Sequence, residues 1–294
     1  MTKFEFQAIG TLWQVDIVGP LSKDEEVVLL KKIKDRIDIF DKDYSRFRED
    51  SLVTKMSKES GSFSLPTDAD KMISLYKRIF DITGGLVTPL IGQVISDAGY
   101  DAKYSLISKP LTSPLSWDEV MKWENPLLTL FSPVLLDFGA GGKGYLVDIV
   151  SEILEANGIK SYCVDAGGDM RQRSPDGVAL KVGLEHPGDK TAVVAVANVL
   201  NQSICGSAGN RRAWGDFHHI INPKSLTSPR DILSVWVVAE TTLLADLLTT
   251  GLFFVSPEIL LQHFAFEYLI VYHDYSMKKS EGFDAEVFTR ESII

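Results

Sequence analysis

Four glycines, a lysine and two aspartates crowd residues 137–148, DFGAGGKGYLVD, a composition that matches three unrelated phosphate-handling signatures. DFG is the metal-binding triplet of protein kinases, but no HRD-type catalytic loop or strand lysine motif accompanies it. A P-loop needs Ser or Thr directly after Gly-Lys to hold its metal, and here Gly144 follows Lys143. Gly139, Gly141 and Gly144 also spell GxGxxG, with VLLDF as a strand before it, a helix after it and Asp165 where a ribose-binding acid would sit. That reading is weak, because the segment lies mid-chain and hairpins, not further βαβ turns, follow it. All three signatures share one physical basis. Glycines between a strand and a helix let backbone groups approach a ligand, a helix N-terminus attracts phosphate oxygens, and Lys143 adds a point charge. The alternative is a tight turn that binds nothing.

A second permissive loop, DAGGDMR at 165–171, follows the strand-like KSYCV, and its Asp165 and Asp169 could serve a ribose, an amine or a metal, or stabilise a turn. Asp246 and Thr250 stand four apart on one face of the apolar helical segment LLADLLTTGLFF, where an unpaired carboxylate is expensive. Either a hydrogen bond from Thr250 or a nearby cap satisfies that carboxylate, or a hard cation such as Mg²⁺ does. His218 and His219 adjoin in FHHIINP. Successive strand side chains face opposite ways, so at most one enters a given pocket, where it could act as a general base.

The elements that must position these residues are readable from their ends. Ser22 with Glu25 forms a capping box before a helix running to Phe40, Thr67 precedes a helix that stops at Gly84-Gly85, and Ser116 with Glu119 opens a short one. A helix follows Gly144 and ends at Asn157-Gly158; Thr241 or Thr242 caps LLADLLTTGLFFV; Ser256-Pro257 starts another. Strands are expected at 3–19, 160–166, 178–185, 192–206, 217–221, 232–239 and 267–273. From 178 to 239 strand follows strand without a helix, which implies antiparallel pairing and an α+β protein, one compact domain over 1–294 with largely antiparallel sheets and packed helices.

Composition narrows the function. At 294 residues, 45% apolar and 24% charged, the chain suits a globular protein with a sizeable core. A net charge of -10 leaves no basic field for nucleic acid. Cys163 and Cys205 lack CxxC spacing and are expected to be buried free thiols. No signal peptide or lipoprotein signal is visible, and the most apolar run, 243–255, is shorter than the roughly 20 residues of a membrane span, so a cytoplasmic location is expected.

Taken in order, these pieces resemble the FAD:protein FMN transferases, the ApbE-like flavin transferases, over about Gly10 to Val255. IGTLW is similar to the family's MGT segment, YSRFREDSLVTKM to its SRF-x-x-x-S stretch and TGGLVTPLIG to its Gly-x-x-D-P-x-x-G region. DFGAGGKGYLVD resembles DLGGIAKGYAVD, VDAGGDMR resembles NLGGDI, FHHIINP resembles HHIIDP, and ETTLLADLLTTGLFFV resembles the T-x-x-x-A-D-x-x-x-T helix. The resemblance implies Mg²⁺, or Mn²⁺ in its place, held by Asp246, Thr250 and the carbonyl of Gly142. It implies an FAD site drawn from Gly139, Gly141, Lys143, Asp148, Gly167, Gly168 and Asp169, and His219 as the base. The implied activity is transfer of the FMN moiety of FAD to a Ser or Thr hydroxyl of an acceptor protein, with release of AMP. An Mg²⁺-dependent FAD pyrophosphatase and an FAD-binding protein without turnover are the alternatives. The sequence departs from the family at Asn222 and Thr88, each where the pattern has Asp, at KSLTSP, and at CGSAGNRR over 205–212.

Overall fold

A computed structural model describes residues 1–288. The chain opens with β1 (Thr2–Ala8), β2 (Thr11–Ile17), α1 (Lys23–Tyr44), α2 (Leu52–Met56), β3 (Gly61–Ser64) and α3 (Ala69–Ile82). A 3-10 turn at Pro89–Ile91 leads into α4 (Gly92–Asp97), α5 (Trp117–Val120), β4 (Met121–Glu124), β5 (Leu127–Leu130) and α6 (Gly142–Ala156). Then come β6 (Tyr162–Ala166), β7 (Met170–Arg173), β8 (Leu180–His186), β9 (Asp189–Val199), β10 (Ser203–Ala208), β11 (Ala213–Trp214) and β12 (Phe217–His218). The described chain finishes with β13 (Ile232–Ala239), α7 (Thr242–Gly251), α8 (Pro257–Leu261), β14 (Glu267–Tyr272), β15 (Met277–Lys279) and β16 (Ala285–Val287).

The architecture is α+β. Eight strands form one sheet in the order β1-β2-β6-β7-β10-β13-β14-β15, and every pairing in it is antiparallel. Helices α1, α3, α6 and α7 cover one face, and the small sheet β16-β9-β8 covers part of the other. Alternation across the sheet explains the apolar strands. Val235 and Val237 of β13 enter the helical core while Val238 enters the second, and Ile270 of β14 does the reverse of Leu269 and Val271. A satellite cluster of Val94, Ile95, Ala98, Trp214 and Ile221 joins α4 to the β11–β12 hairpin. No helix of the described residues is long and apolar enough to cross a membrane.

Local signals held where they were local. Ser22 and Glu25 form the capping box of α1, Glu119 accepts from the Ser116 backbone N–H at 2.9 Å, and Pro257 occupies the first turn of α8. Three expectations fail. The strand expected over 3–19 is a hairpin turned at Ile9 and Gly10 (φ 42° and 76°), and 192–206 is two strands parted at Asn201 (φ 54°). Ile9 in the left-handed region is uncommon, which hides the first turn, whereas Asn201 is a usual residue for the second and is a turn signal in the sequence. Asp68, not Thr67, precedes α3, and its carboxylate pairs with Arg36 at 2.7 Å instead of capping.

Candidate active site

The glycine-rich segment is not a Rossmann turn. Residues 131–141 form no strand, so VLLDF does not feed the loop, and β6 pairs antiparallel with β2. Two of the GxGxxG glycines serve helix packing. A Cβ on Gly141 would lie 2.6 Å from Leu247 Cγ, and one on Gly144 would lie 2.4 Å from the Thr242 carbonyl oxygen and 2.8 Å from Asp246 Cβ. These glycines let α6 press against α7. Gly142 differs: its Cβ would meet Phe138 and Phe40 at 3.4 and 3.6 Å, ordinary contact, so an alanine fits there.

The expected free helix N-terminus is also mostly spent. The Gly142 N–H donates to the Phe138 carbonyl at 2.7 Å, and the Gly144 N–H donates to Asp246 Oδ2 at 2.9 Å. Asp246 therefore sits on the N-terminus of α6, where the helix dipole favours its charge. Thr250 does not bond to it. Thr249, on the buried side, donates to the Asp246 carbonyl at 2.7 Å and pairs with Ser207 at 2.8 Å. Burial, reinforced by the Asp169 carboxylate, pushes the Asp246 pKa up, and Lys143 opposes that push.

Lys143 stands between the two acids, with its ammonium 2.5 Å from Asp169 Oδ2. Burial lowers the Lys143 pKa, but the facing Asp169 and Asp246 carboxylates outweigh it and leave the ammonium firmly charged. Asp169 is 1% exposed, and its Oδ1 has no hydrogen-bond partner among the described residues. Gly167 and Gly168, at φ 65° and 100°, turn the chain into Asp169 at the exposed rim beside Thr11, and the Gly168 N–H donates to Asp165 Oδ1 at 2.8 Å.

The two histidines divide, although the strand expected over 217–221 ends early: β12 is only Phe217–His218, and His219 lies in the bend that follows it. His218 is buried, its Nε2 2.8 Å from the Pro229 carbonyl. His219 faces the neighbouring cleft, half-buried, and its Nδ1 has no partner among the described residues. Burial, then the nearby Arg212 and His218, push its pKa down to about 3, so the imidazole is neutral at pH 7.

Gly139, Gly142, Lys143, His219, Asp246 and Thr250 all line one cleft of about 600 Å³, a size suited to a cofactor-sized ligand. Gly141 and Asp148 do not line it. Asp148 accepts from the Thr242 and Leu243 N–H groups at 2.9 and 2.8 Å and from Arg171 at 3.0 Å, so it caps α7. Gly167, Gly168 and Asp169 also stay off the cleft wall, Asp169 reaching it only through Lys143.

Other walls were not found from sequence. Phe47, Tyr100 and Tyr104 form an aromatic cluster on the cleft, Phe47 stacked on Tyr104 at 5.4 Å between centroids. Arg46 and Asp137 make a buried ion pair beside it. Both lay inside motifs already noted, YSRFRED and DFG, but nothing local says that they meet. The departures at 88 and 222 prove conservative in role. Thr88 Oγ1 accepts from the Leu90 N–H at 3.2 Å, and Asn222 Oδ1 accepts from the Lys224 and Ser225 N–H groups at 2.9 and 3.1 Å. An aspartate would accept the same bonds.

The donors fit one kind of ion. Among the described residues no three His, Cys, Asp or Glu side chains converge, which disfavours a closed protein cage. One buried carboxylate, a hydroxyl and a carbonyl facing an open cleft suit a hard cation that keeps water and phosphate ligands, as Mg²⁺ does. As the first residue of α6, Gly142 already accepts an intrahelical bond at its carbonyl, leaving one lone pair for an ion.

Comparison with known proteins agrees with this architecture. The sequence profile of the ApbE family matches residues 9–268. The FAD:protein FMN transferase of Escherichia coli K12 is 26% identical over 283 residues, covering 88% of this chain and 79% of its own. That of Klebsiella pneumoniae is 25% identical, covering 96% and 86%. The flavin transferase ApbE from Vibrio cholerae superposes with a TM-score of 0.79 at 20% identity, covering 95% and 96%. The ApbE protein from Thermotoga maritima superposes with a TM-score of 0.83 at 20% identity, covering 95% and 97%.

Proposed function

This chain belongs to the ApbE family, and on that premise we propose that it is an FAD:protein FMN transferase, moving FMN from FAD to a Ser or Thr hydroxyl of an acceptor protein and releasing AMP. One observation supports the reading most: Lys143, Asp246, Thr250 and His219, from three separate stretches of sequence, line the same cleft.

Asp246, Thr250 and the Gly142 carbonyl would hold Mg²⁺, with Mn²⁺ as the alternative ion. Bound there, the ion would neutralise pyrophosphate oxygens and make AMP a better leaving group. Lys143, fixed by Asp169, supplies a permanent positive charge to the same oxygens. Gly139, on the cleft wall, lets that segment of backbone come close to the ligand. Gly141, Asp148, Gly167 and Gly168 contribute from behind, by holding α6, α7 and the second loop in place.

The acceptor oxygen attacks the FMN-side phosphorus as the bond to the AMP phosphate breaks, and its proton passes to His219. The neutral imidazole has a free lone pair for that proton. An entering pyrophosphate opposes the burial and the cationic neighbours that hold its pKa down, which raises its basicity when the substrate is present.

The test is the intact mass of a small acceptor domain carrying an Asp-x-x-Ser/Thr-Gly-Ala-Ser/Thr target, incubated with the protein, FAD and Mg²⁺, with an EDTA control. A metal-dependent gain of one FMN phosphoryl unit is expected. FAD split to FMN and AMP over an unmodified acceptor would make the protein a pyrophosphatase, and intact bound FAD would make it a binding protein.

A further inference from the structure

Arg46 is a cation buried at the cleft wall, and its contacts run to three separate parts of the site. Its Nε donates to Asp137 Oδ2, and Asp137 Oδ1 accepts the Gly139 N–H at 2.6 Å, so the guanidinium is tied to the glycine-rich loop. Its Nη1 donates to the Tyr100 carbonyl at 2.8 Å, which ties it to the loop that follows α4. Its flat face lies 4.2 Å from the Phe47 ring centroid and 5.2 Å from that of Tyr100.

That loop is closed by its own bonds, the Leu106 N–H to the Gly99 carbonyl at 2.8 Å and the Lys109 N–H to the Asp97 carbonyl at 2.7 Å, and rests on Trp214 through Tyr100; Arg46 is what ties it to the glycine-rich loop. Tyr104 and Leu106 both sit at positive φ, 52° and 54°, a strained conformation for bulky residues, and the segment contains no helix or strand from 99 to 116. Tyr104 nevertheless stacks on Phe47 within 9° of parallel. Buried Nη2 has no hydrogen-bond partner among the described residues. A guanidinium placed for internal hydrogen bonding alone would satisfy that group. One placed over the Phe47 ring, with its edge on Asp137 and Tyr100, leaves it over.

We propose that Arg46 is a positioning residue: through Asp137 and the Tyr100 carbonyl it fixes the aromatic wall of Phe47, Tyr100 and Tyr104 at a set distance from the glycine-rich loop, and so selects a ligand with a planar ring at one end and phosphate at the other. The proposal rests on the reading that the cleft takes FAD. Asp137 is the second member of the same device, because it alone joins the guanidinium to Gly139.

The decisive variant is Arg46→Lys. A lysine keeps a positive charge for Asp137 but has neither the fork to reach Tyr100 at the same time nor the plane to stack on the rings. FAD affinity with Mg²⁺ present, the visible absorbance of the bound flavin and the melting temperature are measured for wild type, Arg46→Lys and Arg46→Gln. The expected result for Arg46→Lys is FAD binding weakened at least tenfold, a bound-flavin spectrum moved toward that of free FAD, and a melting temperature within a few degrees of wild type. Unchanged affinity and spectrum in Arg46→Lys would overturn the proposal. So would affinity that falls only in step with melting temperature across both variants, since Arg46 would then be scaffold alone. A wild-type protein that binds no FAD would instead defeat the parent reading, an outcome separable from either.

Discussion

Gly144 and Gly142 lie two residues apart in the first turn of α6, and alanine at each should act in opposite directions. At Gly144 the new Cβ meets the Thr242 carbonyl oxygen at 2.4 Å and Asp246 Cβ at 2.8 Å. Restoring ordinary contact requires α6 and α7 to part by roughly 1 Å, an overpacking that costs about 1–3 kcal/mol. The movement also stretches the Gly144 N–H bond to the Asp246 carboxylate, one of the stronger kind of hydrogen bond. Against this stands a helix-propensity gain of at most about 1 kcal/mol. The net expectation is destabilisation of about 2 kcal/mol, together with weaker Mg²⁺ binding, because the displaced atoms include those of Asp246. At Gly142 the nearest contact is 3.4 Å and the backbone is helical, so alanine should be neutral or stabilise by about 0.5 kcal/mol. Urea denaturation followed by far-UV circular dichroism, with metal titration of each variant, measures both effects. A Gly144→Ala protein with the wild-type midpoint and metal affinity would refute the account of α6–α7 packing.

Asp148→Asn should destabilise the protein by about 1–2 kcal/mol, because a single amide oxygen cannot accept from Thr242, Leu243 and Arg171 together; burial already pushes the Asp148 pKa up, so loss of the charge itself adds little, and the folded protein keeps its FAD affinity. Weaker FAD binding at an unchanged melting temperature would instead put Asp148 in contact with the ligand. Asp246→Asn should leave the metal-free protein at least as stable at pH 7, because a carboxylate with a raised folded-state pKa favours folding only at low pH and loses that contribution as pH climbs above its unfolded value. If the proposed site binds Mg²⁺, the same variant should lose the stabilisation the ion gives the wild type, about 2.7 kcal/mol at a hundredfold excess over Kd, read as a rise in melting temperature that the variant lacks. His219, with its pKa lowered from 6.5 to about 3, contributes stability that is complete above pH 6.5 and lost as pH falls toward 3. His219→Gln should flatten the stability profile across that window, and the wild-type kcat/KM should show no acid limb near pH 6.5 from this residue.

Much of the molecule was legible because the physics involved is local. The α1 cap at Ser22 and Glu25 and the Thr241 cap of α7 depend on neighbours a few residues away. That only one of the histidine pair lines the cleft matches the expectation, although His219 lies just past the end of β12 and not within the strand. The strand-after-strand order from 178 to 239 likewise dictated an antiparallel, α+β arrangement. Even the Asp246–Thr250 face was visible as a carboxylate that apolar surroundings could not leave alone.

Other assignments waited on tertiary structure, because equivalent local patterns met different partners. Asp148 and Asp246 are both acids in apolar helices, yet one lies over the N-terminus of α7 and is consumed as a cap, whereas the other lies over the N-terminus of α6 and remains open to the cleft. Gly141, Gly142 and Gly144 share one motif, but two face the backbone and side chains of α7 and one faces two phenylalanines with room to spare. Arg46 and Asp137 are 91 residues apart, and no periodicity or cap connects them. Sequence determined which groups were costly to bury and which elements carried them; only the packing of α6 on α7 and of the Tyr100 loop on Arg46 decided which of those groups would be satisfied by the protein and which would be left facing the cleft.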